Sequence, residues 1–196
     1  SASAFYVYQQ VYDEKGAPVE GVYVDRNGDG QISESDLYFY KQGDAPWMVG
    51  LSSRLGYKNW DLGLSFHSHL GNYVYNGNEM GKMNIEKRYD SSFGYLQNVT
   101  KEGIKRNFNT YENHLSDYWI SNASFVKLDN ITLGYSFNNL FKTNSFKGLG
   151  GRAYVVASNV MTITNYKGID PEQNNGFENS LYPRPFNLQF GLTLNF

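Results

Sequence analysis

Residues 186–196 read Phe186-Asn187-Leu188-Gln189-Phe190-Gly191-Leu192-Thr193-Leu194-Asn195-Phe196. Phe186, Leu188, Phe190, Leu192, Leu194 and Phe196 share one parity, and Asn187, Gln189, Gly191, Thr193 and Asn195 share the other. A two-residue period does not lie on one face of a helix; it describes a strand with one greasy and one polar side. Eleven residues at about 3.3 Å each reach roughly 36 Å, and a tilt of about 45° leaves about 25 Å of height, that of the apolar band on a membrane-barrel wall. Strands of soluble domains usually stop at about five or six residues. No charge interrupts the apolar parity, where Lys or Arg at the bilayer midplane costs about 2–4 kcal/mol. The competing description is a half-buried strand of a soluble sandwich; the length and the terminal Phe196 weigh against it.

The same alternation recurs upstream. Trp47, Val49, Leu51, Leu55 and Tyr57 oppose Gly50, Ser52, Arg54 and Gly56. Trp60, Leu62, Leu64, Phe66 and Leu70 oppose Asp61, Gly63, Ser65, His67 and His69. Lys58-Asn59 leaves a two-residue turn, so the pair reads as a tight spanning hairpin. Trp47, Tyr57 and Trp60 stand at its ends, where amphipathic rings meet a membrane interface. Around 125–137, Ile131, Leu133, Tyr135 and Phe137 oppose Asn130, Thr132, Gly134 and Ser136. Upstream the parity slips: Val126 and Leu128 fall with the polar set, and Lys127 and Asp129 with the apolar one. A bulge, or an end rising out of the membrane, accounts for that slip. Arg152 to Asn159 also reads as a strand, with its outward parity open.

Five strands are therefore expected at about 46–57, 60–70, 125–137, 151–160 and 186–196. The fold class is all-β, with antiparallel strands forming the C-terminal portion of a large transmembrane barrel. Residues 1–45 form a separate loop region. The connections alternate as a two-residue turn, a very long segment (71–124), a moderate one (138–150) and a long one (161–185). Barrels keep short turns periplasmic and long loops outside. With Phe196 periplasmic, 71–124, 161–185 and everything before Trp47 fall outside. Five strands do not close, since the smallest single-chain barrels have about eight and an open edge in lipid strands backbone groups. The chain reads as part of a larger wall, or as a protomer lending strands to a shared barrel.

Composition agrees. Among 196 residues there are 20 Gly, 17 Tyr, 13 Phe and no Cys, and 18% are charged. A net charge of −2 and a pI near 5.9 argue against a nucleic-acid binder. Lack of cysteine removes disulfides, thiolate nucleophiles and Cys-bound zinc. No apolar run approaches the ~20 residues of a membrane helix. Ser1-Ala2-Ser3-Ala4-Phe5 lacks the basic, apolar layout of a secretory leader. A mean hydropathy of −0.55 alongside 17% aromatics suits aromatic girdles joined to a polar lumen and hydrophilic loops.

Residues 25–36 place oxygen ligands at the first, third and fifth positions (Asp25, Asn27, Asp29), with Gly30 sixth. Gln31 is seventh and offers its backbone carbonyl, Ile32 follows as an apolar anchor, Ser33 is ninth and Asp36 twelfth. That is calcium-loop spacing. Asp at the twelfth position replaces the usual Glu, and the preceding Gly21-Val22-Tyr23-Val24 looks extended. A structural calcium bound by Asp25, Asn27, Asp29, Gln31 and Asp36 is expected, as a loop lock and not a sensor. The alternative is a metal-free loop held by Asx turns. His67 and His69 point to the same side of one strand, as polar lining or as two ligands of a metal lacking an evident third. His114 stands alone. No Gly-x-Ser-x-Gly or comparable motif appears, so no enzyme is expected. Tyr73, Tyr75, Tyr89, Phe93, Tyr95, Tyr111, Tyr118 and Trp119 either stack on sugar rings, pack a folded loop or meet a partner.

Several segments resemble the C-terminal region of the SusC/RagA family of TonB-dependent outer-membrane transporters. They are Tyr23 to Gly30, Gly71 to Asn76, Asn130 to Tyr135, and Arg152 to Asn159 continuing through Thr162 to Glu172, and then the last strand. The run ending Asp170-Pro171-Glu172 is the most specific. The resemblance implies a 22-stranded outer-membrane barrel with an N-terminal plug and TonB box, covered by a SusD-like surface lipoprotein. It implies import of oligosaccharides, or of oligopeptides, driven through TonB. This chain supplies about five strands of it. Its partners are the plug and earlier strands, the lipoprotein, TonB through the plug, the cargo and outer-membrane lipid. The alternative from another class is a calcium-stabilised glycan-binding β-module, soluble or within a shared barrel.

Overall fold

The computed structural model describes residues 4–83, 85, 88–90, 94–96, 98–106, 108, 115–138, 150–179 and 182–195. The chain divides into two compact units that interleave along the sequence. One comprises Ser1–Pro46, Gly71–Ser124 and Asn165–Pro183; the other comprises Trp47–Leu70, Phe125–Thr164 and Arg184–Phe196.

The second unit is a five-stranded antiparallel meander. Its order is Asn187–Asn195, Gly150–Thr164, Phe125–Phe137, Trp60–Leu70 and Trp47–Tyr57. The first hairpin pairs Trp47 with Leu70 and Tyr57 with Trp60 without a break. Lys58 takes a left-handed φ of 54° in its turn. Asn59 ties that turn to the next strand: its side-chain amide donates to the Ser136 carbonyl at 2.7 Å, and its carbonyl accepts from Ser136 N at 2.8 Å.

The parity slip near Val126 is a bulge. Leu128 pairs with Phe66 but Asn130 pairs with Ser65, so Asp129 is the extra residue against that neighbour. Against the other neighbour, Leu128 pairs with Met161 and Asn130 with Ser158, which places an extra residue on the Gly150–Thr164 strand. Asn159, with φ 53°, stands in that interval. Two adjacent strands thus slip together, and Val126 and Leu128 return to the face of Ile131 and Leu133. Because pairing survives the slip, this strand runs to Thr164, four residues beyond the expected 160. Pairing also fixes the parity left open by sequence. Gly151, Ala153, Val155 and Ala157 lie opposite Leu194, Leu192, Phe190 and Leu188, on the apolar face.

That apolar face is bare. Phe190 is 80% exposed, Leu192 63% and Leu51 63%. A mainly apolar surface over five strands, with Ser53 and Ser68 among its members, is not what a soluble module presents to water. Phe186 precedes the last strand as an exposed residue, and Phe196 lies outside the described residues. Among the described residues no helix is long and apolar enough to cross a membrane.

The first unit is built from the connections. The segment 71–124, expected as a loop, carries structure of its own. Tyr73–Asn76 is the central strand of a small sheet, antiparallel to Ile120–Asn122 and parallel to Phe177–Glu178. Two short helices follow, Gly77–Met83 and Lys101–Arg106. They approach closely at Gly103, where a Cβ would meet the Met83 backbone. Ala4–Val7 pairs with Tyr38–Gln42, and Gln10–Tyr12 with Pro18–Tyr23. Phe5, Val7, Tyr75, Met83, Phe108, Trp119 and Ile120 form the core. Apolar contacts hold this unit together as in any globular domain, whereas the sheet of the other unit leaves its apolar side uncovered.

Candidate functional site

The polar face of the sheet is organised by charge. Arg152 donates from Nε to Asp61 Oδ1 at 2.9 Å and from Nη2 to Asp61 Oδ2 at 2.6 Å. Arg54 stands 3.6 Å from the same carboxylate. The strand between them leaves room only because residue 134 is glycine: a Cβ there would fall within the Arg152 guanidinium and the Asp61 carboxylate. Tyr154 carries the row onward, with the Arg152 guanidinium 4.9 Å from its ring centre and its ring lying over Gly191.

Further along this face, His67 Nδ1 lies 2.6 Å from Oδ2 of Asp129, the bulge residue. His69 packs 5.0 Å from the Phe125 ring, and His67 stands edge-on to the same ring at 5.3 Å. Both histidines therefore belong to a polar and aromatic lining. Among the described residues no three or more His, Cys, Asp or Glu side chains gather where they could hold a metal ion. His114 lies outside the described residues.

The 25–36 loop takes the winding that its spacing implies. Gly28 and Gly30 have φ of 75° and 79°. Asp25 accepts from Gly28 N at 2.7 Å and from Gly30 N at 2.8 Å, while Asp29 accepts from Gln31 N at 2.8 Å. Asn27 Oδ1 accepts from Asp29 N at 2.9 Å. Asp36 is fully buried and accepts from the N–H groups of Ser33, Arg26 and Asn27 at 2.9, 2.8 and 3.3 Å. The amide of Ser33, then those of Arg26 and Asn27, hold its carboxyl below the usual carboxylate range. These carboxylates are engaged with backbone amides, the bonding that Asx turns supply. Ile32 does not act as an anchor, since it is 46% exposed. Arg26 fastens the loop instead, donating to Gln9 Oε1 at 2.8 Å and lying 4.5 Å over the Tyr38 ring.

The loop aromatics divide by burial. Tyr75 and Trp119 are core residues. Tyr73 is half-buried beneath the Lys41 ammonium, at 5.3 Å. Tyr89 is exposed, Tyr118 is half-buried, and Phe93, Tyr111 and the Tyr95 side chain lie outside the described residues.

Sequence reasoning missed Glu178. It is fully buried, accepts from the Tyr166 hydroxyl at 2.9 Å and from Asp170 N at 2.6 Å, and so closes the 165–178 corner around the run ending Asp170-Pro171-Glu172. Burial and the Glu178 carboxylate push the Tyr166 phenol far above its ordinary range. Gly168 leaves the space that both side chains fill. A lone Glu in a two-residue strand carries no sequence pattern that marks it as buried.

Beside that corner is a cavity of about 430 Å³ between the two short helices and the 118–121 segment. Glu102 and Arg106, one turn apart on the Lys101–Arg106 helix, pair across 3.3 Å. Glu79 faces them, its carboxyl raised by burial and by Glu102 against the opposing effect of Lys167. Tyr118 forms a wall, braced edge-on by Trp119 at 4.9 Å.

No family model matches the chain. It is 44% identical over all 196 residues to the TonB-dependent receptor SusC of Bacteroides thetaiotaomicron, and covers 20% of that protein. A TonB-dependent receptor of Formosa agariphila is 26% identical over 193 residues, covering 89% of this chain and 19% of that protein. The fold matches a structure of the RagAB peptide transporter with a TM-score of 0.71 and 23% identity, over 97% of this chain and 22% of that one. The chain spans about a fifth of the curated relatives it matches.

Proposed function

The chain belongs, as a segment, to the SusC/RagA type of TonB-dependent receptor, and we propose that it forms part of the barrel wall and outer mouth of an outer-membrane importer. The observation carrying this is the sheet itself: five antiparallel strands bare an apolar face outward and collect their charges on the other side. Lipid tails suit the first face and a wet lumen the second. The two edge strands, Trp47–Tyr57 and Asn187–Asn195, find partners in the remaining wall.

The proposed cargo is an oligosaccharide, supported by the resemblance to the SusC/RagA type and the 44% identity to SusC. An oligopeptide is the second reading, because the structures that share the fold are of a protein described as a peptide importer. A SusD-like lipoprotein covering the mouth, a plug and TonB complete the proposal. The relatives are receptors and importers, in keeping with a chain that performs no covalent chemistry. Calcium in the 25–36 loop belongs to the proposal too, on the spacing of Asp25, Asn27, Asp29, Gln31 and Asp36.

Spin labels at Leu192 and Thr193 of the whole receptor in lipid test the wall reading. Leu192 should be relaxed by lipid-soluble oxygen and Thr193 by an aqueous nickel reagent. Equal accessibility at both overturns it.

A further inference from the structure

We infer that the cavity between the Gly77–Met83 and Lys101–Arg106 helices is a subsite for a single neutral, hydroxyl-rich sugar unit, an inference that rests on the oligosaccharide reading above. Its volume, about 430 Å³, lies within the range of about 300–1,000 Å³ usual for small-ligand pockets. The chemistry of its lining selects the occupant. Glu79 and Glu102 accept hydrogen bonds, while Lys105, Arg106 and Lys167 donate them, and both sets face the same space. With Glu102 and Arg106 paired at 3.3 Å, Glu79, Lys105 and Lys167 remain, so an ion of either sign meets at least one side chain of its own sign. An apolar molecule strips water from all five without replacing its hydrogen bonds. A sugar hydroxyl both donates and accepts, so vicinal hydroxyls answer both sets at once and strand no charge.

The frame is firm enough to hold such a geometry. Gly103 lets the two helices touch backbone to backbone, and Thr100 N donates to Lys82 O at 3.1 Å. Tyr118 is held by Trp119 at 4.9 Å and by Phe108 at 6.2 Å, both edge-on. The Arg106 guanidinium lies 5.4 Å over the Tyr118 ring, so the wall meets a pyranose chiefly through planar carboxylate and guanidinium groups that bond its polar rim.

The test measures equilibrium binding of a panel of neutral oligosaccharides to the whole receptor. Ser121→Trp fills the cavity from an exposed rim position and removes no pairing. Glu102→Gln with Arg106→Gln removes the charged hydrogen bonds. Each should weaken binding by about tenfold to a hundredfold, the loss that one or two charge-assisted hydrogen bonds represent. Lys105→Gln, also at an exposed position, serves if the double change unfolds the helix, with a smaller loss in the same direction. Normal affinity in Ser121→Trp receptor overturns the subsite and leaves the oligosaccharide reading intact. A wild-type receptor that binds oligopeptides and no neutral oligosaccharide overturns both.

Discussion

Arg152 and Asp61 form a two-pronged ion pair although 91 residues separate them and a whole strand runs between their own. The intervening Gly134 makes the bridge possible, so the strands on either side of it are joined across the polar face by side chains as well as through the backbone ladder. Bidentate geometry makes this the kind of pair that adds specificity as well as energy.

Gly134→Ala should therefore destabilise the sheet by about 1–3 kcal/mol, because the new methyl occupies the space of the pair. Gly50→Ala, on the same face with nothing within 4 Å of the added Cβ, should be nearly silent. Urea unfolding of the receptor in vesicles measures both, and equal effects refute the spacer role of Gly134.

Phe190→Arg should cost about 2–4 kcal/mol in the same assay, as expected for a charge on a lipid-facing wall near the midplane. Gln189→Arg, one residue away on the other face, should cost far less. A reversed order contradicts the assigned faces.

Loop 25–36 should lose protection in acid. The Asp36 carboxyl is held low in the folded chain, so its contribution is full above the ordinary carboxylate value of 3.8 and disappears as pH falls through the lowered one. Asp36→Ala should expose residues 20–45 to protease at neutral pH. Pepsin digestion across the acid range reads the first effect; cleavage that does not change with pH speaks against it.

Asp25→Ala combined with Asp29→Ala should raise cleavage of that loop while the barrel stays folded. If calcium occupies the loop, chelator reproduces the effect in the wild-type receptor and added calcium reverses it. Cleavage indifferent to both reagents removes calcium and leaves a loop held by amide–carboxylate bonds alone.

Tyr166→Phe should destabilise the loop unit by about 1–3 kcal/mol at neutral pH, since Glu178 loses a buried donor. In the wild type the raised Tyr166 phenol keeps its full contribution below the ordinary value of 10.0. Stability then falls as pH rises above that value. The variant should show a flatter decline between neutral and strongly alkaline pH in thermal unfolding; parallel curves would exclude Tyr166 as a source.

Local amphiphilicity made the two-faced antiparallel sheet legible in the residues themselves. Alternation at 47–57, 60–70 and 186–196 depends only on which neighbours are greasy, and even the bulge announced itself as a break in parity at Val126. The winding of residues 25–36 was likewise visible, because its glycines and acids act on backbone groups a few positions away. Folding in three dimensions settled what depends on distant partners. Ala153, Val155 and Ala157 showed their face only by pairing with Leu192, Phe190 and Leu188. Asp61 needed Arg152 and the gap at Gly134, Glu178 needed Tyr166 and Asp170, and Tyr75 and Trp119 went to the core. Periodicity records which side of a strand meets oil or water, a property of adjacent residues. Burial and ion pairing arise between segments that only the fold brings together.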